Sequence, residues 1–130
     1  MTKDIKNWLA MVDYDVITAE QMFKSGRYVY VIFMCHLAIE KALKAIVCEE
    51  IDKIPPKTHD LIYLLNLAKV KLNNELLDFI GIINNAGVVT RYPEDLSELI
   101  SSYSKEIARD YLDRMLEVIK CIKQDTRLKK

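Results

Sequence analysis

The chain has 130 residues, 51% of them hydrophobic, with 19 basic and 19 acidic side chains and a formal net charge of zero. That length suits one domain, residues 1–130, burying about two-thirds of the unfolded chain's surface, and the apolar share excludes a disordered chain. The charge balance excludes broad, sequence-blind binding of nucleic acid, which needs a basic face to release counterions, and leaves only local patches.

Taken in order, the first predicted element is a helix from Asp4 to Lys24. Ile5, Trp8, Val12, Val16, Ala19 and Phe23 fall on one side of it, and Lys6, Asp13, Glu20 and Lys24 are among the polar positions. Asp15 sits at the edge of the apolar stripe, either as an ordinary surface or paired charge or within reach of a basic residue on the next helix. Ser25-Gly26 stops the helix, glycine being suited to the left-handed residue after a helix C-terminus. So short a connection makes the first two helices antiparallel neighbours.

The second element, Arg27 to Glu50, organises the rest. From Tyr28 to Ile39 only His36 is not apolar, and the pattern continues as Ala42, Leu43, Ala45, Ile46 and Val47. A run of about 24 residues is too long for a strand and gives roughly 36 Å of helix, hydrophobic on most sides and suited to the middle of a bundle. Its uninterrupted apolar part falls short of the roughly 20 residues that span a bilayer, so a membrane span is rejected. His36, Glu40 and Lys44 follow one another at steps of four and share a face, with Lys41 one position round. Two readings stay open: a half-buried network that satisfies itself, or a row facing a groove and meeting a ligand or partner.

Pro55 and Pro56 then break the helix into a rigid linker. Thr58 is the predicted N-cap of a third helix from about His59 to Lys71, which places His59 and Asp60 in its first turn. Asn73 or Asn74 caps a fourth helix to about Asn85, weakened by Gly81 and ended by Gly87. In the irregular stretch that follows, Pro93 forces Tyr92 toward an extended conformation, so that a stiff loop presents Arg91 and Tyr92. The last helix begins between Asp95 and Ser104 and runs to about Lys123, with Ile107, Tyr111, Met115, Val118 and Ile122 inward. The predicted fold is all-α, an up-and-down bundle of four to five helices.

Cys35 and Cys48 lie about 20 Å apart on one helix, beyond disulfide reach. No Cys-x-x-Cys, plausible zinc set or signal-peptide pattern is present, which points to a reduced cytoplasmic setting. Neither the Glu-x-x-His repeats of di-iron bundles nor His-Glu-x-x-His occurs, and the three glycines form no phosphate loop, so no metal or cofactor is expected. Lys120, Lys123, Arg127, Lys129 and Lys130 form the one basic cluster, read as cations at a helix C-terminus and a solvated tail.

Trp8, Asp15 and Ala19, then Gly26 and Tyr28, the His36 to Ala45 run, Thr58-His59-Asp60-Leu61 and Arg91-Tyr92-Pro93 together resemble the prokaryotic HEPN domains across nearly the whole chain. The resemblance implies a helical bundle, usually a homodimer, similar to the substrate-binding half of kanamycin nucleotidyltransferase. It also implies pairing with a minimal nucleotidyltransferase, in arrangements that include toxin and antitoxin modules, and the family is named for a nucleotide-binding role. Its ribonuclease branches carry an Arg and then a His with some four to six residues between them. Here Leu96, Ser97 and Glu98 stand at the relevant places, and no histidine follows His59.

The sequence therefore favours a non-catalytic binding module. Its polar corner of Asp15, His36, Glu40, Lys41, Lys44, His59, Asp60, Arg91 and Tyr92 binds a nucleotide-like ligand or docks a nucleotidyltransferase partner. Lys44 and Arg91 would meet phosphate or carboxylate, Tyr92 would stack, and Asp15 and Glu40 would position the cations. The alternative is a metal-independent ribonuclease toxin acting on RNA with an atypical centre, Arg91 with His36 or His59. In a third, purely structural reading these residues only hold the bundle and its dimer together.

Overall fold

Three long helices close their apolar faces around a fourth in a computed structural model that describes residues 2–129. Helix α1 (Lys3–Lys24) and α2 (Tyr28–Ile51) form an antiparallel hairpin. Phe23 meets Tyr28 near the turn, whereas Asp15 reaches Lys41 and Trp8 lies against Lys44 further along. Gly26 at the turn has φ +74°. Its N–H donates to the Phe23 carbonyl and the Arg27 N–H to the Met22 carbonyl, a Schellman closure that explains why glycine is required there.

Helix α2 ends at Ile51, with Asp52 in the left-handed region ahead of Pro55 and Pro56. Fifteen of its residues are buried, including His36, Glu40 and Lys44. Helices α3 (Leu61–Ala68), α4 (Asn74–Arg91), α5 (Leu96–Ser102) and α6 (Lys105–Lys123) follow, then a 3₁₀ turn, Thr126–Lys129. Helix α4 runs antiparallel to α2, because Gly87 faces His36 while Arg91 lies over Phe33. Helix α6 opposes both α1 and α4: Arg109 sits over Phe23 and Lys123 pairs with Asp13, while Tyr111 packs on Phe79 and Arg114 pairs with Glu75. Arg127 fastens the 3₁₀ turn to the end of α2 through Glu50 at 2.9 Å.

The all-α expectation holds, with six α-helices among the described residues, two of them short. Four local expectations are corrected. Thr58 is not the cap of α3. Asp60 is, accepting from the N–H groups of Ile62 and Tyr63, while Thr58 accepts one turn earlier from the Asp60 N–H. Both residue types cap well, and the one nearest the first apolar position prevails, so His59 and Asp60 precede the helix. Helix α4 does not stop near Gly87 but continues through Arg91, so Arg91 is helical and not in a loop. Pro93 restricts only the residue before it, which lets the helix run to the residue ahead of Tyr92. The region after Pro93 is two helices, because Asp95 and Ser104 each accept a backbone N–H bond as N-caps. Ile107 lies in the first turn of α6 and is exposed, whereas Ala108, Leu112 and Ile119 join Met115, Val118 and Ile122 inside.

Candidate functional site

Glu40 is the hub of the polar row. Its carboxylate accepts from Lys44 Nζ at 3.2 Å and lies 2.8 Å from His59 Nδ1, which arrives from the linker before α3. Lys44 is 7% exposed and its Nζ sits 5.7 Å from the centroid of the Trp8 ring, so its charge is held between a carboxylate and an aromatic face. One position round, Lys41 Nζ is 2.6 Å from Asp15 Oδ2, so the carboxylate of α1 does reach a basic residue on α2. That oxygen has no hydrogen bond of good geometry, so the contact is a close Coulombic approach with poor direction. Lys41 and Lys44 are thus engaged with carboxylates inside the chain and do not stand ready for a phosphate.

His36 is 1% exposed and sits at the junction of α2 and α4. A Cβ built on Gly87 would come within 2.1 Å of its Cδ2 and 2.5 Å of its Cγ, so only glycine leaves room for the imidazole. The sequence marked Gly87 as a helix stop, and its role as a notch was missed because it depends on a residue far away in the chain, on another helix. Burial pushes the His36 pKa down to about 4; the Glu40 carboxylate opposes that, and the charges of Arg91 and His59 add to it. The ring is therefore neutral at pH 7. Its Nδ1 lies 3.8 Å from Glu40 Oε1, too far for a hydrogen bond, and has no other partner.

Arg91 completes this side. Its Cζ lies 5.0 Å from the centroid of the Phe33 ring, and its Nε and Nη2 are buried without a hydrogen-bond partner. Among the described residues it enters no ion pair, although Glu94 and Asp95 follow closely in the chain. His36 couples electrostatically to both Arg91 and Glu40, so the two halves of the expected corner meet through its ring.

Asp60 and Tyr92 are placed elsewhere. Asp60 caps α3 and accepts from Asn84 Nδ2 at 3.2 Å, while Asn84 Oδ1 accepts from the Leu61 N–H at 2.8 Å. It belongs to a clasp between α3 and α4, which no local motif announced. Tyr92 is 75% exposed and lines a separate groove between the end of α4 and α5. It does not stack beside Lys44, because the chain turns outward at this C-cap residue ahead of Pro93.

No cluster of three or more His, Cys, Asp or Glu side chains placed to hold a metal ion occurs among the described residues. No described helix is long and apolar enough to cross a membrane. Cys35, Cys48 and Cys121 are free thiols.

The fold is shared with solved proteins of low sequence identity. TT1696 from Thermus thermophilus matches with TM-score 0.81 and 19% identity, over 95% of this chain and 98% of its own. ST0689, an archaeal HEPN homologue, matches with TM-score 0.73 and 17% identity, over 94% and 97% respectively. No curated protein sequence gives a significant match. The HEPN domain model matches residues 5–125, from the first buried isoleucine of α1 to just past the end of α6, and on that extent the chain belongs to the HEPN domain family.

Proposed function

We propose that residues 1–130 act as one non-catalytic HEPN module, cytoplasmic and homodimeric, whose Arg91–His36 corner binds the phosphate of a nucleotide-like ligand. The observation that carries this reading is the Arg91 guanidinium, a cation with two buried nitrogens lacking any acceptor, held against Phe33 beside an imidazole whose Nδ1 is also unpartnered. A planar guanidinium offers two parallel donors to a phosphate, and bound phosphate would supply the missing acceptors. His59, exposed at its edge and anchored on Glu40, flanks the approach. Asp15, Glu40, Lys41, Lys44 and Asp60 hold the corner in place and do not touch the ligand.

Calorimetric titration with AMP, ATP and inorganic phosphate tests this, wild type beside Arg91→Gln. Binding of at least one nucleotide, weakened about tenfold or more in the variant, is the expected result, since a hydrogen bond to a charged group contributes roughly 1.5–3 kcal/mol. No heat with any nucleotide in the folded wild type overturns it. The homodimer draws support from the exposed Tyr30, Leu96 and Ile100 around a groove of about 260 Å³ between α2 and α5, and sedimentation of Ile100→Lys tests it. A minimal nucleotidyltransferase as partner, in a toxin and antitoxin type pair, rests on the family resemblance and is tested by co-purification of the two proteins.

A second reading, the metal-independent ribonuclease, gains from one observation: His36 on α2 and Arg91 on α4 are electrostatic neighbours despite their distance in sequence. Against it, the pKa of the ring is lowered to about 4, which suits it poorly to exchange protons near neutrality. Incubation of pure protein with RNA, wild type beside Arg91→Ala, separates the readings. Cleavage that disappears in the variant establishes the enzyme.

A further inference from the structure

Helix α5 buries a single residue, Leu99, and leaves an open groove of about 480 Å³ between itself and the end of α4. Val88, Val89, Tyr92 and Leu99 give it apolar walls, and the first three are 49–75% exposed. Large side chains left in water on this scale mark an interaction surface more often than chance placement. Glu94, Asp95 and Glu98 line the same groove, and none enters an ion pair among the described residues. Some exposed carboxylates elsewhere find cations, Asp13 with Lys123, Asp110 and Glu75 with Arg114 and Asp113 with Arg109, and others such as Glu20 and Asp78 do not among the described residues; what marks this groove is three carboxylates gathered beside exposed apolar side chains. Among the described residues no lysine or arginine lines this groove.

We infer that the α4–α5 groove docks a cationic amphipathic helix from a partner protein. Its apolar stripe rests on Val88, Val89 and Tyr92, and its Lys or Arg residues lie against Glu94, Asp95 and Glu98. The occupant follows from charge. Three carboxylates without a cation among the described residues, one of them capping α5, repel the phosphates of RNA and attract a basic segment. A second copy using the same face would set the two acidic rims against each other, since a two-fold contact presents the same patch twice. An apolar floor with polar walls of one sign is the pattern of helix-in-groove recognition, and an exposed tyrosine followed by proline is a pre-positioned anchor. This surface stands apart from the Arg91 corner, so either assignment survives failure of the other.

The test is fluorescence anisotropy with a labelled synthetic peptide of about 18 residues, roughly five helical turns, with leucines on one face and lysines on the other. Wild type is expected to bind it, and Glu94→Lys with Glu98→Lys to weaken binding at least about tenfold. Tyr92→Ala should also weaken it, whereas Asp113→Lys on α6 should not. A scrambled peptide of the same composition should bind poorly. These positions are exposed, and circular dichroism confirms folding. Absence of wild-type binding, equal loss in Asp113→Lys, or binding indifferent to the Glu94 and Glu98 reversal overturns the proposal. So does RNA displacing the peptide, or sedimentation in which Val88→Asp dissociates a dimer, which would make the occupant a second copy. Glu98→Lys should leave nucleotide heats intact, and Arg91→Gln should leave peptide binding intact, which keeps the two sites distinguishable.

Discussion

Two charged regions, one around Glu40 in the middle of α2 and one around the end of α4, are built on opposite terms. Around Glu40 each charge has its counterpart: Lys44 and His59 on Glu40, Lys41 on Asp15. Around the end of α4, among the described residues, Arg91 has no anion, and Glu94, Asp95 and Glu98 have no cation. A buried charge that finds its partner inside the chain serves to hold helices in register, and removing one partner strands the other. A buried cation left unmatched, as Arg91 is, costs stability, whereas exposed carboxylates are solvated and stay available to a partner.

The sharpest way to break this contrast is to truncate one group on each side. Glu40→Ala strands the Lys44 ammonium in the interior and should lower stability by roughly 3–5 kcal/mol in urea unfolding. Arg91→Met removes a cation that has no anion to lose, and should stay within about 1 kcal/mol of wild type once its contact with Phe33 is counted. Equal losses in the two variants would erase the distinction.

Acidification probes the ring that joins the two regions. An unfolded histidine titrates near 6.5 and His36 in the fold at about 4, so between those values the unfolded chain binds the extra proton. The contribution of neutral His36 is therefore fully present above pH 6.5 and lost as pH falls toward 4, a difference on the order of 3 kcal/mol. Urea midpoints measured across that window should fall in wild type and flatten in His36→Gln; parallel curves would show that the ring does not carry the effect.

The two glycines of α4 should give effects of opposite sign. Gly81 has nothing within 4 Å of an added Cβ, so Gly81→Ala should gain about 0.5–1 kcal/mol from helix propensity alone. Gly87→Ala has the same propensity advantage but drives a methyl into His36, and thermal unfolding should show a net loss of about 1–3 kcal/mol.

Periodicity made the long elements legible. The apolar run from Tyr28 and the stripe of α1 located both helices to within a residue or so, and spacing by four put His36, Glu40 and Lys44 on one face. A reach from Asp15 to some basic residue on α2 was one open alternative in the sequence, and the structure identifies that residue as Lys41. Contacts between distant segments were not. Thr58 and Asp60 compete for one cap on nearly equal chemistry, and only the structure shows which precedes the first buried leucine. Gly87 looks like a terminator in one dimension and is a notch in three. Tyr92 shares a motif with Arg91 yet faces the other way, since the chain leaves the helix between them. The carboxylates of the α4–α5 groove carried no signal in isolation, because what distinguishes them is that the fold gathers all three along one groove beside Val88, Val89 and Tyr92.

The notch at Gly87 has a genetic corollary. His36 occupies the volume where any other amino acid at position 87 would place its first side-chain carbon, so the two sites form a single steric unit drawn from two helices. A methyl introduced at 87 should be tolerated when the imidazole is cut back, and Gly87→Ala combined with His36→Ser should recover part of what the first change alone removes. Among relatives that keep this packing, bulk at one of the two positions should trade against bulk at the other, leaving their sum nearly constant.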